Sequence, residues 1–448
     1  MNSSTPPNSE LTRTVTFDEA LQIATRLHRE FQLEPARDLY EQLLAAAPDH
    51  PDVLHFYGIL KHQMGASEAG IDLIRRAIAL APGYADFHVN LGNILVQRGR
   101  IDEGEHEYQE ALKLRPDSSL AWNNLGSIHR NRNRLDEAEA AYRKALELEP
   151  DMVGAHNNIG RIYWDQQDFE ASTRHFCRAI GIDPQDPTGH KLLGMVYYTR
   201  GMHDKAAEAF KRWIDADPDN PAAHHHYAAC RGEDVPDRAS DDYVRYTFDR
   251  FALSFEDQLQ SKLHYRAPAL LAQAFAGRLG PPDKQYDILD AGCGTGLCGP
   301  LMAPWARRQE GVDLSGGMLA QAQAKQCYDL LEEAELTAWL ESHPGAYDVI
   351  VSADTLCYFG PLEAVTAAAL SALRPGGTLG YTVERIVDPQ PGETSRLSAS
   401  GRYQHTADYL AATLRAAGFI HLDIQPAHLR TEGGKPVEGL VTLAQRPA

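Results

Sequence analysis

The stretch DAGCGTGLCGP, residues 290–300, decides how the second half of this chain folds. Its glycines at 292, 294, 296 and 299 allow a backbone that turns sharply and that a ligand can approach closely. The apolar run YDILDA leads into it, so we expect a strand, a glycine-rich loop and then a helix. The spacing Gly-x-Gly-x-x-Gly matches the dinucleotide-binding fingerprint, and the looser pattern Asp-Ala-Gly-x-Gly-x-Gly indicates another nucleoside cofactor. Other residues of the chain are needed to decide between these two cofactors.

The composition limits the classes of protein that are possible. A chain of 448 residues predicts two or three domains. It contains no run of about 18 apolar residues, so we expect no membrane span. The polar residues 1–16 predict a disordered tail without a secretion signal. A net charge of −19 argues against a nucleic-acid binder. Six cysteines without CxxC or zinc spacing predict reduced thiols, a cytoplasmic location and no metal site.

The first half of the chain has a period of 34 residues. Proline recurs at positions 48, 82, 116, 150, 184 and 218. A small residue recurs at Ala24, Gly58, Gly92, Gly126, Gly160 and Gly194. A large residue, expected to fill the space between neighbouring repeats, recurs at Tyr40, Ile74, Tyr108, Tyr142, Phe176 and Phe210. This period is typical of tetratricopeptide repeats. It predicts an all-α solenoid over residues 17–232, with six repeats and a capping helix whose histidines 224–226 are solvated.

The first helix of each repeat lines the concave groove of such a solenoid. One groove position reads Asn90, Asn124 and Asn158, which predicts a ladder of amides. This ladder resembles that of the protein O-linked N-acetylglucosamine transferase, and such amides can pair with an extended peptide backbone. We expect Arg130, Arg161 and Trp164 to lie on the same surface. The alternative is that the asparagines contact only water.

Beyond the repeats, the sequence changes character. Residues 233–280 predict an acidic linker and a helical lid. Residues 281–448 alternate short apolar runs with helical stretches, which is typical of a parallel sheet with crossover helices. We predict strands at 286–291, 310–314, 347–353, 377–384, 419–424 and 439–445. The glycine loop then lies at the carboxyl end of a strand, where open α/β sheets bind ligands.

Two carboxylates bear on the choice of cofactor. Asp313 stands 19 residues after Gly294, where it can take the ribose hydroxyls of any adenosine cofactor. Asp290 immediately precedes the loop, and a carboxylate there would repel a pyrophosphate at the helix N-terminus. It suits the cationic amino end of S-adenosylmethionine. Asp313 thus fits either cofactor, and Asp290 favours S-adenosylmethionine over NAD.

Residues 243–448 resemble the class I S-adenosylmethionine-dependent methyltransferases. The resemblance rests on DAGCGTG, GVDLS-x-x-ML (311–319), YDVIVSADTLCYFG and LRPGG. It implies a Rossmann-like α/β domain with a helical lid, after the all-α repeat solenoid. It also implies a cofactor site made of Asp290, Gly292, Gly294, Gly296, Asp313, Leu314, Met318, Glu335, Leu336, Asp354, Tyr265 and Arg266. Glu335 departs from the family, which usually has an aspartate there.

Methyl transfer from an activated sulfonium needs alignment, exclusion of water and sometimes a base. The segment SASGRYQHTADYL, residues 398–410, is expected to reach over the pocket. Within it His405 is the candidate general base, and Arg402 and Tyr403 would orient a carboxylate or hydroxyl substrate. Asp354 would approach from the opposite side. The alternative for His405 is a surface or helix-capping histidine.

Three functions are compatible with these features. In the first, the chain methylates a protein or peptide that the repeat groove delivers. In the second, it methylates a small molecule, and the repeats serve for homodimerisation or for docking to a carrier protein. In the third, the repeats form a scaffold and the methyltransferase fold is inactive. The glycine loop and Asp313 favour an enzyme over an inactive relic.

Overall fold

The computed structural model of this chain describes residues 15–232, 235–249, 252, 255, 256, 259, 263–398, 400–432 and 435–448. The chain divides into two compact units, Met1–Asp183 and Pro184–Ala448. The predicted tail lies outside the described residues except for its last two. Much of the predicted lid between residues 250 and 262 also lies outside them.

The described residues of the first unit form successive pairs of helices. The pairs are α1 (Phe17–Arg29) with α2 (Leu33–Ala46), α3 (Pro51–Gln63) with α4 (Ser67–Leu80), α5 (Ala85–Gln97) with α6 (Ile101–Leu114), α7 (Ser119–Asn131) with α8 (Leu135–Leu148), and α9 (Val153–Asp165) with α10 (Phe169–Ile182). Each periodic proline from 48 to 150 lies two residues after the second helix of a pair. Proline cannot continue a helix, so it separates one repeat from the next.

The recurring glycines hold the two helices of a pair together. A Cβ atom at Gly92 would lie 2.7 Å from the ring of Tyr108, and one at Gly126 would lie 2.8 Å from the ring of Tyr142. The large residue therefore packs first on the glycine of its own repeat, and not only between repeats as predicted. Tyr108 also joins Ala121 of the following repeat in one buried cluster. The Tyr108 ring thus connects the two helices of its own repeat and also contacts the following repeat.

The second unit begins with the sixth pair, α11 (Pro187–Thr199) and α12 (His203–Ala216), and with α13 (Pro221–Arg231). The prediction of a solvated α13 is wrong for two of its histidines. His225 and His226 are buried, and His226 stacks on Phe210 with ring centroids 5.4 Å apart. His224 alone is exposed, and its Nε2 bonds the carbonyl oxygen of Pro218.

The remainder of the second unit is a mixed sheet with helices on both faces. Its helices are α14 (Asp241–Asp249), α15 (Ala267–Leu279), α16 (Gly299–Met302), α17 (Gly316–Gln323), α18 (Leu336–Ser342), α19 (Glu363–Ala372) and α20 (Ala407–Ala417). Its strands are β1 (Tyr286–Ala291), β2 (Ala306–Asp313), β3 (Leu330–Glu333), β4 (Tyr347–Ser352), β5 (Leu373–Arg385), β6 (Ser395–Leu397), β7 (Tyr403–His405), β8 (Ile420–Glu432) and β9 (Lys435–Gln445).

The strand order is β3-β2-β1-β4-β5-β7-β6, and β9 pairs with both β5 and β8. Strands β1 to β5 are parallel, whereas β9 runs antiparallel to β5. All six predicted strands are present, and the short strands β3, β6 and β7 were not predicted. Alternating residues bury both faces: Leu289 and Ile350 lie in a core with α18 to α20, and Ile288 and Val349 pack with α15. The carboxyl ends of β1, β2 and β4 therefore meet at one edge.

Candidate functional site

The glycine loop after β1 has the backbone that its sequence requires. Gly292, Gly294 and Gly296 have φ angles of +72°, +54° and +83°, a region that side chains disfavour. A Cβ at Gly292 would lie 2.2 Å from the side chain of Thr355, so no side chain fits there. A Cβ at Gly294 would meet nothing within 4 Å. The loop thus packs against the protein at Gly292 and presents open space at Gly294.

Asp290 and Asp313 lie on either side of this loop. The Asp290 carboxylate is 2% exposed and accepts a hydrogen bond of 2.6 Å from the Tyr328 hydroxyl. Burial raises the pKa of Asp290 to about 7; the Tyr328 bond opposes this shift and the nearby Asp313 adds to it. Asp313 accepts hydrogen bonds of 2.9 Å from the backbone N–H groups of Gly294 and Ser315. A buried and a half-buried carboxylate at one loop favour a ligand that carries positive charge.

The loop borders a cavity of about 290 Å³ at the carboxyl edge of the sheet. Asp290, Gly292, Gly294, Asp313 and Met318 all line it, as predicted for a cofactor site. The opposite wall is largely apolar and comes from the region of the predicted lid, with Tyr243, Val244, Thr247, Phe248, Phe255, Leu259 and Leu263. This wall can exclude water from a bound ligand.

A second, smaller pocket adjoins the cavity and shares Gly292 and Asp313 with it. Leu314, Glu335 and Leu336 line this smaller pocket. The Glu335 carboxylate is already used, because it accepts a hydrogen bond of 2.8 Å from Ala338 N–H as the N-cap of α18. The apolar side chains of the pocket suit a planar nucleobase such as adenine. Glu335 caps the N-terminus of α18.

Behind the cavity lies a cluster of buried charges, of which sequence analysis missed Arg430, Glu384 and Glu432. Arg430 is 2% exposed and donates to Asp354 at 2.8 Å, to Glu432 at 2.7 Å and to Glu384. Arg402 donates to the same Glu432 oxygen at 2.7 Å. Burial alone would raise the pKa of Glu432, but the two guanidinium groups hold it at about 2. Arg430 and Arg402 both line the cavity, so this ionic cluster forms one of its walls.

Asp354 occupies the predicted place at the cavity, in a strained conformation. Its φ angle is +53°, which is uncommon for a residue other than glycine. One carboxylate oxygen accepts from the Thr382 hydroxyl and the other from Arg430, each at 2.8 Å. With both oxygens engaged, the side chain presents a fixed negative charge.

The structure places His405 and Tyr403 in β7, outside the cavity lining, contrary to the expectation that they reach over the pocket. His405 is 0% exposed, its Nε2 bonds the carbonyl oxygen of Gly360 at 2.8 Å, and its ring stacks on Tyr409. Burial lowers the pKa of His405, and the Gly360 bond opposes this shift. Tyr403 donates to the Pro236 carbonyl. This geometry gives neither residue access to a substrate.

Of the two cofactor residues predicted in the lid, Tyr265 lies at the cavity and Arg266 does not. Tyr265 is partly buried and lines the cavity. Arg266 is exposed and does not line the cavity; it stands at the N-cap of α15, and its backbone N–H donates to Leu429. A role for Arg266 in holding the cofactor carboxylate has no support in these contacts.

The capping helix α13 supports the wall of the cavity without lining it. His225 of α13 stacks on Tyr243, with ring centroids 4.1 Å apart, and its Nε2 bonds the Gly401 carbonyl at 2.9 Å. A Cβ at Gly401 would lie 2.5 Å from the Tyr243 hydroxyl oxygen. Tyr243 lines the cavity, as do Ser400 and Arg402 on either side of Gly401. Helix α13 therefore holds two segments of the pocket in place.

In the first unit, the amide ladder links the first helices of successive repeats. Asn124 Nδ2 donates to Asn93 Oδ1 at 2.9 Å, and Asn158 Nδ2 donates to Asn123 Oδ1 at 3.0 Å. Asn90 Nδ2 lies 3.0 Å from His55 Nε2. The three amides thus bond the preceding repeat and not one another. Among the described residues, nothing bonds the side-chain oxygens of Asn90 and Asn158, which leaves acceptors for a ligand.

The other predicted groove residues lie on the same helices, Arg130 on α7 and Arg161 and Trp164 on α9. All three are partly buried. The Arg130 Nε atom is buried and has no hydrogen-bond partner within the described chain.

Within the described residues, no three His, Cys, Asp or Glu side chains group as metal ligands do. None of the helices described here combines the length and the apolar character needed to cross a bilayer.

Comparison with known families agrees with this architecture. Residues 89–153 and 157–221 match the family described as tetratricopeptide repeat, and residues 288–377 match the family described as methyltransferase domain. The chain therefore carries tetratricopeptide repeats followed by a methyltransferase domain. This confirms the predicted fold class.

Curated relatives match part of the chain. Human methyltransferase-like protein 27 is 35% identical over 150 residues, which cover 33% of this chain and 59% of the relative. A Mycolicibacterium smegmatis protein named "Probable S-adenosylmethionine-dependent methyltransferase" is 28% identical and covers 33% of this chain and 54% of its own length. The chain spans about half the length of these two relatives. The name of the second relative includes S-adenosylmethionine, the cofactor that the sequence of this domain predicts.

Proposed function

We propose that this chain transfers a methyl group from S-adenosylmethionine to a protein or peptide that the repeat groove recruits. The observation that carries the catalytic part is the cavity at the carboxyl ends of β1, β2 and β4. There a glycine loop with open space at Gly294 lies between the buried carboxylate of Asp290 and the half-buried one of Asp313. The donor set suits a ligand with a ribose, a cationic end and no pyrophosphate.

Each part of this ligand has a candidate partner in the chain. Asp313 would take the ribose hydroxyls, and Leu314 and Leu336 would pack on the adenine. Asp290 would hold the cationic amino end, directly or through the loop amides. The space in front of Gly294 is where the loop backbone can come close to the ligand.

When bound, S-adenosylmethionine supplies a methyl group that is already activated by the sulfonium. The protein has to align the acceptor and to exclude water. The aromatic wall that includes Tyr243 and Phe248 excludes water from the cavity. Asp354, fixed by Thr382 and Arg430, stabilises positive charge that develops near the acceptor, and it is poorly placed to swing and remove a proton.

The support for peptide recruitment comes from the first unit. Asn90 and Asn158 have unengaged side-chain oxygens on helices whose spacing the repeat fixes. Such acceptors can pair with the N–H groups of an extended backbone. The same bonds that link neighbouring repeats hold these amides in place, so a peptide would meet an ordered row of acceptors.

Methyl-labelled S-adenosylmethionine tests the proposal. The full chain is added to an extract of the native organism, the products are separated by size, and Asp290→Ala/Asp313→Ala serves as the blank. Enzyme-dependent label in protein supports the proposal. Label that is unaffected by Asn90→Ala/Asn158→Ala, in a variant with unchanged thermal unfolding, contradicts delivery by the groove. No label above the blank in any fraction contradicts catalysis and favours a scaffold.

A small-molecule acceptor is the second candidate. It is favoured by the aromatic wall around the 290 Å³ cavity, which α13 supports through the contacts of His225 with Tyr243 and Gly401. In this function the repeats serve for homodimerisation or carrier docking. Label in the small-molecule fraction, together with a dimeric mass in solution, would support it over the first candidate.

A further inference from the structure

Two arginines in the groove of the first unit lack the partners that other arginines of this unit have. Arg178 pairs with Asp151 at 2.6 Å, and Arg143 pairs with Glu139 at 2.5 Å. Arg130 and Arg161 form no salt bridge with any described residue. The chain has 62 acidic residues against 43 basic ones, so acidic partners are abundant. Arg130 and Arg161 therefore lack a salt-bridge partner in the described part of the chain, although the chain is rich in carboxylates.

The surroundings of Arg130 and Arg161 place them near each other. The Tyr142 hydroxyl donates to Ser127 at 3.1 Å, and Ser127 stands at the same repeat position as Arg161. Burial raises the pKa of Tyr142, and the bond to Ser127 and the charges of both arginines oppose this shift. Burial, and then the charge of Arg130, lower the pKa of Arg161. Both guanidinium groups therefore lie around one tyrosine hydroxyl.

The charge of Asp165 stabilises Arg161, but Asp165 forms no salt bridge with it among the described residues, so a bound anion would stabilise this arrangement further. Two like charges repel at close range, and partial burial removes part of the water that would screen them. The buried Nε of Arg130 is an unsatisfied donor. A guanidinium group presents a planar fork of donors that matches a carboxylate, and such charge-assisted bonds are about twice as strong as neutral ones.

We propose that Arg130 and Arg161 bind a side-chain carboxylate of an acidic peptide segment lying along the groove. The proposal rests on the recruitment of a peptide by the groove and specifies the chemistry of that peptide. Arg161 lies on the same helix as the Asn158 amide, so one ligand can meet both with its backbone and an acidic side chain. A net charge of −19 makes the alternative polyanion, a nucleic acid, a poor match for the rest of the chain.

Peptide binding to the full chain tests this without any methyl transfer. The probe is a fluorescein-labelled, end-capped decapeptide of alternating glutamate and glycine, and the matched probe has glutamine in place of glutamate. Fluorescence anisotropy gives the Kd of each. We expect the glutamate peptide to bind at least about tenfold more tightly, since charged hydrogen bonds contribute about 1.5–3 kcal/mol. That preference should disappear in Arg130→Gln/Arg161→Gln.

A matched variant separates this site from the loss of net charge. Arg174→Gln/Arg178→Gln removes two exposed arginines of α10 and should keep the preference. Equal affinity for both peptides in the wild type, or an unchanged preference in Arg130→Gln/Arg161→Gln, would overturn the proposal. So would tighter binding of a single-stranded oligonucleotide of equal charge. Unchanged thermal unfolding in all variants shows that the fold is retained. A glutamate preference alongside small-molecule labelling would keep this site and refute delivery of a substrate by the groove.

Discussion

The repeats and the sheet domain both depend on glycine, for opposite reasons. At Gly126 the backbone is helical, and a Cβ would meet the ring of Tyr142 at 2.8 Å. At Gly294 the φ angle is +54°, and a Cβ would meet nothing within 4 Å. The first position is glycine because a neighbour is already there. The second is glycine because of the backbone conformation, and the space before it remains available for a ligand.

This contrast separates residues that stabilise from residues that bind. The packing of a glycine against an aromatic ring recurs along the repeats, because Gly92, Gly160 and Gly194 each face a ring in the same way as Gly126. The features of the sheet domain occur once and have no neighbouring copy to compensate for them. We therefore expect substitutions in the repeats to change mainly stability, and substitutions around the cavity to change ligand affinity or the core of the unit. Four experiments test this distinction.

The largest effect is expected for the buried ionic cluster. Arg430→Met leaves Asp354, Glu384 and Glu432 close together with only Arg402 to neutralise them. Loss of one partner from a buried ion pair costs about 3–5 kcal/mol in the free energy of unfolding. Chemical denaturation measures it, with Arg178→Met as the exposed control, for which we expect less than about 1 kcal/mol. Equal effects of the two variants would contradict the distinction between unique and repeated contacts.

The next effect is expected in cofactor affinity. Gly294→Ala places a methyl group in the open space of the loop, and we expect the Kd for S-adenosylmethionine to rise about 10²-fold. Calorimetric titration measures it. Gly345→Ala is the matched control, because Gly345 has a φ angle of +63° and open space as well, but does not line the cavity. Both variants should lose a similar free energy of unfolding, about 1–2 kcal/mol. Unchanged affinity in Gly294→Ala would remove the loop from the cofactor site.

A smaller effect is expected from pH. Because the pKa of Asp290 is raised to about 7, its carboxyl group becomes neutral below that pH and can no longer hold a cation. The affinity for S-adenosylmethionine should fall as pH decreases below 7, by up to about tenfold per unit. The same raised pKa means that the contribution of Asp290 to the stability of the ligand-free protein is greatest below its unfolded value and declines as pH rises through 7. Equilibrium binding from pH 5.5 to 8.5 measures the first effect, and Asp290→Asn should give a flat profile. A pH dependence that persists in Asp290→Asn would assign it to another group.

The smallest effect is expected in the repeats. Gly126→Ala forces a Cβ against the Tyr142 ring, and overpacking costs about 1–3 kcal/mol, against a gain of about 1 kcal/mol in helix propensity. We expect a net loss of about 1 kcal/mol in thermal or chemical unfolding, with unchanged cofactor affinity. Gly154→Ala in α9 meets nothing within 4 Å and should stabilise the protein instead. Stabilisation by both substitutions would show that the ring moves aside freely.

Sequence alone could predict features that periodicity or a local cluster encodes. The glycine–ring pairs recur every 34 residues, and Gly294 and Asp290 stand in one short stretch, so both the solenoid and the loop were predictable. Arg430 was not, because its partners Asp354, Glu384 and Glu432 are distant in sequence or lie in its own strand without any periodic signal. Only the pairing of β4 with β5, and of β9 with β5 and β8, brings them together.

His405 illustrates the opposite error. Its residue type suggested a general base, but its position is decided by packing that the sequence does not display. The Gly360 carbonyl and the Tyr409 ring enclose it in β7. His225 was underestimated for the same reason, since three consecutive histidines gave no sign that one of them reaches Gly401, 176 residues away. Residue chemistry identifies candidates, and long-range contacts determine their use.

The contact of His225 with Tyr243 and Gly401 bears on how such a chain can be rearranged during evolution or by protein engineering. The stretch that matches the methyltransferase family begins at residue 288, yet part of its pocket is held by a helix that ends at Arg231. A catalytic module excised at the family boundary would lack this support. The repeats before Pro184 belong to the other unit and can be exchanged as a cassette. The sixth repeat and α13 have to be inherited together with the enzyme.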